Sequence, residues 1–191
     1  MIKVLITGAS SGLGKSFGKY FGEMGCKLYV VSRNKKELNM IDLNIKAYHI
    51  LTKLFLKDFT KRNRGRILNV ASIAGFMPGT YMATYYATKS YIVNLTLAIS
   101  EELRQDGSNV KVSVFCPGPL NTNFLRVANV KFSIPLLSPD YAVEYAVDKM
   151  FKDKVVIIPP NMKLNYYLIK LAPLAVTLLV NSNIQKRVIF N

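Results

Sequence analysis

The sequence predicts an α/β fold in which a doubly wound parallel sheet carries helices on both faces. Short apolar runs alternate with segments of helical periodicity along most of the 191 residues, and a glycine-rich turn follows the first run. Polar residues follow the ends of later runs. Because strand–helix–strand units give parallel strands, we expect a ligand at the carboxyl ends of those strands.

The first strand is predicted over residues 2–6, where an apolar, β-branched run is typical of a strand buried on both faces. A helix over 15–25 and a strand over 27–32 complete one βαβ unit. Beyond it, the same patterns predict helices over 40–59, 84–104 and 139–151 and strands over 66–70, 110–115 and 154–158.

The turn between the first strand and helix reads Thr7-Gly8-Ala9-Ser10-Ser11-Gly12-Leu13-Gly14. Small residues let a backbone approach phosphate groups closely, and the positive end of a helix dipole favours their charge. The turn therefore predicts a pyrophosphate site at the start of the helix.

Ser72, Tyr85 and Lys89 have the spacing of a proton-transfer site, thirteen residues and then four. The tyrosine and lysine lie one helical turn apart, so both side chains project from one face. We expect the ammonium to lower the tyrosine pKa, which would let the phenol exchange a proton with a carbonyl or alcohol oxygen that the serine also contacts. The alternative is chance, because a chain with 11 tyrosines and 26 basic residues often places Tyr four residues before Lys.

The composition fits one domain with a sizeable core, and its 50% hydrophobic content excludes a disordered chain. The net charge of +15 comes without a nucleic-acid-binding motif, which favours anionic cofactors or acidic membrane surfaces as its partners. Cys26 and Cys116 lie in apolar runs without metal-ligand spacing, so we expect no metal. We expect reduced thiols and a cytoplasmic protein, since no signal sequence precedes the first strand.

Four motifs together resemble the short-chain dehydrogenase/reductase family. They are the turn over 7–14, Asn69-Val-Ala-Ser72, Tyr85-x-x-x-Lys89 and Pro117-Gly118-Pro119-x-x-Thr122. The resemblance implies a Rossmann-like fold and NAD(P)-dependent interconversion of a carbonyl and an alcohol. It also implies a homo-oligomer formed through the helices over 40–59 and 84–104.

The resemblance assigns roles to individual residues. It makes Tyr85 the acid/base, Ser72 the group that polarises the substrate oxygen, and Lys89 the holder of the nicotinamide ribose. Asn44 matches the residue that anchors a water in the proton relay; alternatively it is an ordinary mid-helix polar residue. The cofactor contacts would be Gly8, Ser10, Ser11, Gly12, Leu13, Gly14, Arg33, Pro117, Gly118 and Thr122, with Tyr85 and Lys89.

The cofactor choice depends on the end of the second strand. An acidic residue there would bind the adenosine ribose and select NAD, but this sequence has Arg33 and no acid. A guanidinium suits a 2′-phosphate, so the sequence favours NADP. The alternative is that Arg33 is simply solvated.

The sequence divides into a Rossmann-like domain over 1–160 and an apolar helical tail over 161–191. The tail is interrupted by Lys170 and Pro173, which makes a membrane span a poor interpretation. We expect a pair of amphipathic helices lining an apolar substrate pocket or an oligomer contact. An interfacial membrane anchor is the alternative, because basic residues lie at the ends of the tail. The tail resembles that of reductases that act on apolar or acyl substrates.

The chain departs from the family pattern near Leu38–Met40. Two βα units, on the order of 60 residues, are missing there, including the third and fourth strands. The fourth strand would lie between the first and fifth strands of the family pattern. The first strand must therefore pair directly with the strand over 66–70, moving the phosphate and catalytic sites about 4.8 Å closer, or leave edges and apolar faces open.

Three explanations of the departure stay open. The protein contains a segment that this chain lacks, the chain is a deletion product with idle motifs, or it folds in a shortened form that binds without catalysis. The sequence thus predicts an NADP(H)-dependent oxidoreductase, or alternatively an inactive remnant that binds at most a nucleotide or a partner.

Overall fold

A computed structural model describes residues 1–31, 40–122 and 136–190. Its strands and helices, in chain order, are β1 (Lys3–Thr7), α1 (Gly12–Glu23), β2 (Lys27–Val31), α2 (Ala47–Lys61), β3 (Arg66–Val70), α3 (Ala83–Gln105), β4 (Lys111–Phe115), α4 (Pro139–Phe151), β5 (Val156–Ile157), α5 (Pro160–Leu171) and α6 (Leu174–Phe190). A π-helical turn (Asp42–Lys46) precedes α2, and a 3₁₀ turn (Ile73–Phe76) follows β3.

The strands form two parallel sheets with helices packed on them, which confirms the predicted fold class. One sheet has the order β1-β2 and the other the order β3-β4-β5. Within the described ranges, no ladder joins β1 to β3. The sequence predicted either direct pairing of the first strand with the strand over 66–70 or open strand edges. The structure has open edges, because β1 and β3 belong to different sheets. The 4.8 Å approach of the two halves of the site does not occur by strand pairing.

A shared helical layer holds the two sheets together. Helices α1 and α4 pack on each other and bury a common core that contains Phe17 of α1 and Val143 of α4. Ile6 of β1 and Phe115 of β4 belong to the same core. Burying a side chain of this size contributes roughly 1.5–3 kcal/mol. Apolar packing therefore substitutes for the missing hydrogen-bonded strand between the sheets.

The two sheets differ in whether helices cover their second face. Helices α2 and α3 cover β3 and β4, whereas the outward face of β1 and β2 carries Leu5, Tyr29 and Val31, each between 40% and 48% exposed. The register places Leu5 beside Tyr29 and Thr7 beside Val31, so these residues share one face. The prediction that the first strand is buried on both faces is wrong, because no helix within the described residues covers this side.

Sequence periodicity located most elements closely. The bounds of β3 and α4 are those predicted, and the tail forms two helices separated at Pro173. Strand β5 is shorter than predicted, with two residues in place of five. The junction at Leu38–Met40 falls mostly outside the described residues, and Arg33 lies outside them entirely.

Candidate active site

The candidate site lies at the carboxyl ends of β3 and β4, against the first turns of α3. Ser72 follows β3 by two residues, and Pro117 follows β4 by two residues. The backbone N–H of Ile73 donates to the carbonyl of Pro117 at 3.0 Å, so the two strand ends stay side by side beyond the sheet. This is the end of a parallel sheet at which a ligand is expected.

Ser72 and Tyr85 are brought into direct contact. The Ser72 hydroxyl hydrogen-bonds the Tyr85 side chain. It also accepts from the N–H of Ala74 at 3.2 Å and lies 3.4 Å from the carbonyl oxygen of Pro117. Ser72 is buried and begins the 3₁₀ turn as its N-cap, so its hydroxyl is fixed by the backbone around it.

The electrostatics of Tyr85 differ from the sequence-based expectation. Burial raises the pKa of the Tyr85 phenol, while the hydrogen bond from Ser72 lowers it by less and Tyr86 raises it further. Burial also lowers the pKa of Lys89 to about 8. The prediction that the tyrosine pKa is lowered is therefore wrong here, because burial is the largest cause of the shift in both groups.

Lys89 is held at the end of β3. Its Nζ donates to the carbonyl oxygen of Val70 at 3.3 Å and lies 5.8 Å from the centroid of the Tyr85 ring. The hydroxyl of Tyr48, on α2, donates to the same carbonyl oxygen at 3.1 Å, and its ring centroid lies 5.9 Å from Lys89 Nζ. Sequence reasoning missed Tyr48. Its spacing of four residues from Asn44 is the signal that could have found it.

Asn44 lies in the π-helical turn rather than in a regular helix. Its side-chain amide donates to Thr88 Oγ1 at 3.1 Å, and Thr88 Oγ1 donates to the carbonyl oxygen of Tyr85 at 2.9 Å. Asn44 is thereby connected to the backbone that carries Tyr85. Single-turn π-helices occur frequently at functional sites, and apolar periodicity alone does not reveal them.

The glycine turn has the geometry expected of an anion site. Gly8 has a φ of 73°, and a Cβ on Gly14 would overlap the Gly8 carbonyl oxygen. The Ser11 side chain makes no capping hydrogen bond, and the first turn of α1 has no acidic residue. The N–H groups at this helix end are thus available to an anion. Ser10 and Ser11 are exposed, whereas Leu13 packs against the core.

The turn after β4 approaches both the glycine turn and the tail. A Cβ on Gly12 would lie 3.6 Å from the Thr122 side chain, so these two residues are neighbours. A Cβ on Gly118 would lie 2.6 Å from the sulfur of Met162 in α5, so a larger residue here would require the Met162 side chain to move.

The tail packs over the end of the sheet that carries the candidate site. Tyr166 of α5 lies edge-on to Phe76, with ring centroids 4.8 Å apart. The buried Asn181 of α6 donates to the hydroxyl of Tyr86 at 3.3 Å. Sequence reasoning missed Asn181, although an asparagine within an apolar helix is a visible signal. These contacts place both tail helices beside the candidate site.

The pH dependence of stability should report the burial of Lys89. Its pKa falls from 10.5 to about 8 on folding, so between these values the unfolded chain binds more protons and stability rises with pH. The slope is at most about 1.4 kcal/mol per pH unit. Cys116 and Tyr48 have raised pKa values of about 12 and act in the opposite direction at higher pH.

Comparison of the chain with a Lys89→Met variant isolates the lysine contribution. Urea unfolding at pH 8, 9 and 10 gives the unfolding free energy of each protein. The value for the variant minus the value for the unaltered chain should fall as the pH rises, because the buried lysine loses its charge and no longer destabilises the unaltered chain. A difference that stays constant with pH would mean that Lys89 is not desolvated.

Comparisons with known proteins address the family directly. Residues 38–131 match the family described as short chain dehydrogenase. Estradiol 17-beta-dehydrogenase 11 of Mus musculus is 31% identical over 121 residues, which are 63% of this chain. The chain belongs to the short-chain dehydrogenase/reductase family. The family match begins at residue 38, where the two missing βα units would end.

The chain spans less than half the length of the curated relatives it matches. The aligned residues cover 40% of the mouse relative. Its fold is similar to that of a short-chain dehydrogenase from Sphingobium yanoikuyae in complex with NADPH (TM-score 0.72, 20% identity, 87% of this chain and 92% of that one). It is also similar to a short-chain dehydrogenase/reductase from Burkholderia phymatum in complex with NAD (TM-score 0.71, 16% identity, 87% and 92%). At these identities the likeness shows the Rossmann-like fold alone.

Proposed function

We propose that this chain is an NADP(H)-dependent oxidoreductase that interconverts a carbonyl and an alcohol. The observation that carries the proposal is the contact between Ser72 and Tyr85, with Lys89 one helical turn away, at the carboxyl ends of the strands. Membership of a dehydrogenase/reductase family supports the same reaction class.

In the proposed reaction, Tyr85 moves the proton. Its raised pKa keeps the hydroxyl protonated at neutral pH, which suits donation to a carbonyl oxygen. Ser72 donates a hydrogen bond to that oxygen and stabilises the charge that develops on it. When bound, the nicotinamide group supplies or accepts the hydride at the carbonyl carbon. Lys89 lies close enough to stabilise the phenolate that forms, and the Asn44–Thr88 contact positions the Tyr85 backbone.

The described residues fit the phosphate end of such a cofactor. The glycine turn and the uncapped start of α1 would hold the pyrophosphate, with Thr122 beside Gly12 at the nicotinamide end. The preference for NADP over NAD depends on Arg33, which lies outside the described residues. One structural neighbour binds NADPH and another binds NAD, which supports a nicotinamide cofactor of either kind.

The substrate we propose is apolar. Helix α5 brings Tyr166 and Met162 to the end of the sheet that carries the proposed site. The mouse relative is named for estradiol, a steroid alcohol, which supports an apolar substrate class. A homo-oligomer through α2 and α3 stays a prediction. Exposed apolar residues on α2, such as Ile50 and Leu54, support it.

Cofactor titration followed by a carbonyl-reduction assay tests the proposal. We expect NADPH to bind more tightly than NADH, and an Arg33→Ser variant to lose about 10–100-fold in NADPH affinity, since a hydrogen bond to a charged group contributes roughly 1.5–3 kcal/mol. NADPH oxidation with an apolar ketone should then follow. Equal affinity for both cofactors in the unaltered chain would overturn the proposed NADP preference. Binding without turnover would overturn the proposal that the chain is an enzyme.

A second candidate, a non-catalytic remnant, is favoured by a separate observation. The facing edges of β1 and β3 are unpaired, and Leu5, Tyr29 and Val31 lie on an uncovered face. Misplacing a reacting group by about 1 Å costs on the order of 100-fold in rate, so a loosened phosphate site can abolish turnover. Failure of both cofactors to bind would support the remnant.

A further inference from the structure

The two tail helices carry an apolar surface that the fold leaves uncovered. Leu164, Tyr167, Leu168 and Leu171 of α5 follow the spacing i, i+3, i+4 and i+7, which puts them on one helical face, and all four are exposed. Leu171 is 83% exposed. The opposite face of α5, with Met162 and Tyr166, packs on the domain. The exposed apolar residues of α5 therefore make no contribution to the core of the domain.

Helix α6 has its polarity reversed relative to a helix in contact with water. Among residues 174–184, the part of α6 whose side chains the structure describes, the buried residue is the polar Asn181, while the exposed residues include Leu174, Leu179 and Ile184. Apolar residues turned outward over two adjoining helices mark a surface that contacts another apolar surface, such as a membrane or a protein. We call the outward residues of α5 and α6 the tail surface; its members are Leu164, Tyr167, Leu168, Leu171, Leu174, Val176, Leu178, Leu179, Val180 and Ile184.

The charges of the tail indicate which medium covers this surface. Residues 160–190 contain four basic residues and no Asp or Glu, within a chain of net charge +15. Lys163 and Lys170 are exposed on the same helix as the apolar stripe. A second copy of the chain would bring like charges together, whereas an anionic lipid surface is attracted to them.

The length of the helices decides how the tail meets a bilayer. Among the residues that the structure describes, no helix combines the length and apolar character required to cross a membrane. Helices α5 and α6 have 12 and 17 residues and are separated at Pro173. A pair of this kind lies in the plane of the interface, with its apolar side in the headgroup and acyl boundary.

We propose that the tail surface docks this protein onto anionic lipid bilayers and thereby places the wall of the candidate site at the lipid surface. The contacts of Tyr166 with Phe76 and of Asn181 with Tyr86 join the docking helices to the catalytic end of the sheet. An apolar substrate dissolved in the bilayer would reach the site without crossing water.

Vesicle co-sedimentation tests the proposal on the full chain and needs no activity. We expect binding to phosphatidylcholine vesicles that contain phosphatidylglycerol, weaker binding without it, and weakening by salt. A Leu168→Ser/Leu171→Ser variant should bind at least about 30-fold less tightly, because it removes two leucines, 58% and 83% exposed, that would enter the bilayer. A Lys163→Gln/Lys170→Gln variant should lose much of the phosphatidylglycerol dependence.

Leu54→Ser is the matched control for Leu168→Ser. The two leucines are 61% and 58% exposed and both lie on helices, but Leu54 is on α2, outside the tail surface. The control should bind as the unaltered chain does. Equal loss in both single variants, or none in the double variant, would overturn the proposal. Light scattering in which the double variant changes a dimer into a monomer, with no lipid binding, would assign the tail surface to a second copy.

A fluorescence reporter keeps the test valid if the serine variant fails to fold. The chain has no tryptophan, so Tyr167→Trp introduces a single reporter on the tail surface. Its emission should shift to the blue when vesicles with phosphatidylglycerol are added. Tyr141→Trp, in α4, is the control and should not shift. The absence of a shift at position 167 would exclude insertion of the tail.

Discussion

Tyr85→Phe should reduce carbonyl reduction by about 10²–10⁴-fold, the usual contribution of a positioned general acid. The phenyl ring keeps the packing of α3 and loses the hydroxyl that contacts Ser72. Cofactor affinity and thermal stability should change little. The measurement is single-turnover oxidation of NADPH at pH 7 with a fixed apolar ketone.

Tyr86→Phe provides the matched control, because it removes a hydroxyl from the next residue of the same helix. The Tyr86 hydroxyl accepts from the buried Asn181, so its loss should cost about 1 kcal/mol in unfolding free energy and leave turnover within a few-fold. Equal losses of turnover in both variants would mean that Tyr85 acts through packing. Unchanged turnover in Tyr85→Phe would exclude it as the proton donor.

Insertion of the two missing βα units at the junction Leu38–Met40 should strongly stabilise the protein and raise turnover. A strand placed between β1 and β3 would pair both open edges, and its flanking helices would cover Leu5, Tyr29 and Val31. Completing the burial of these three side chains alone is worth about 3 kcal/mol, since each is already roughly half-buried. Urea unfolding should show a higher midpoint and a steeper slope, because more surface is exposed on unfolding.

A glycine–serine insertion of equal length is the control for this experiment. It lengthens the chain at the same point but adds no strand, so it should leave the midpoint unchanged or lower it slightly. If the insertion of the two βα units gives no higher urea midpoint than this control, the shortened chain folds stably without a strand between β1 and β3. If the gain appears with turnover, the chain is a deletion product of an active enzyme.

Short-range patterns predicted most of the secondary structure. The strand over 66–70 and the helix over 139–151 lie where apolar alternation and helical periodicity put them, because both are regular and flanked by turn residues. The π-helical turn around Asn44 was not predicted, since one extra residue in a turn barely changes the apolar spacing.

Motif spacing predicted the site residues but not their electrostatics. Ser72 and Tyr85 make contact, and Gly12 lies beside Thr122, as a shared site requires. The direction of the Tyr85 pKa shift was wrong, because it depends on how much water the folded chain excludes from the phenol and the ammonium. The contribution of Tyr48 at Val70 depends on which face of α2 meets the sheet, and that too follows from packing.

The sequence by itself determined the family and the fold class, and it predicted the residues proposed for the chemistry, because these are encoded in local patterns and fixed spacings. Only the tertiary structure decided that β1 does not pair with β3, that Tyr85 is desolvated and that the tail turns its leucines outward. Each of these depends on which surfaces meet across long stretches of chain. A sequence lists the surfaces that can be buried, and only packing determines which of them are.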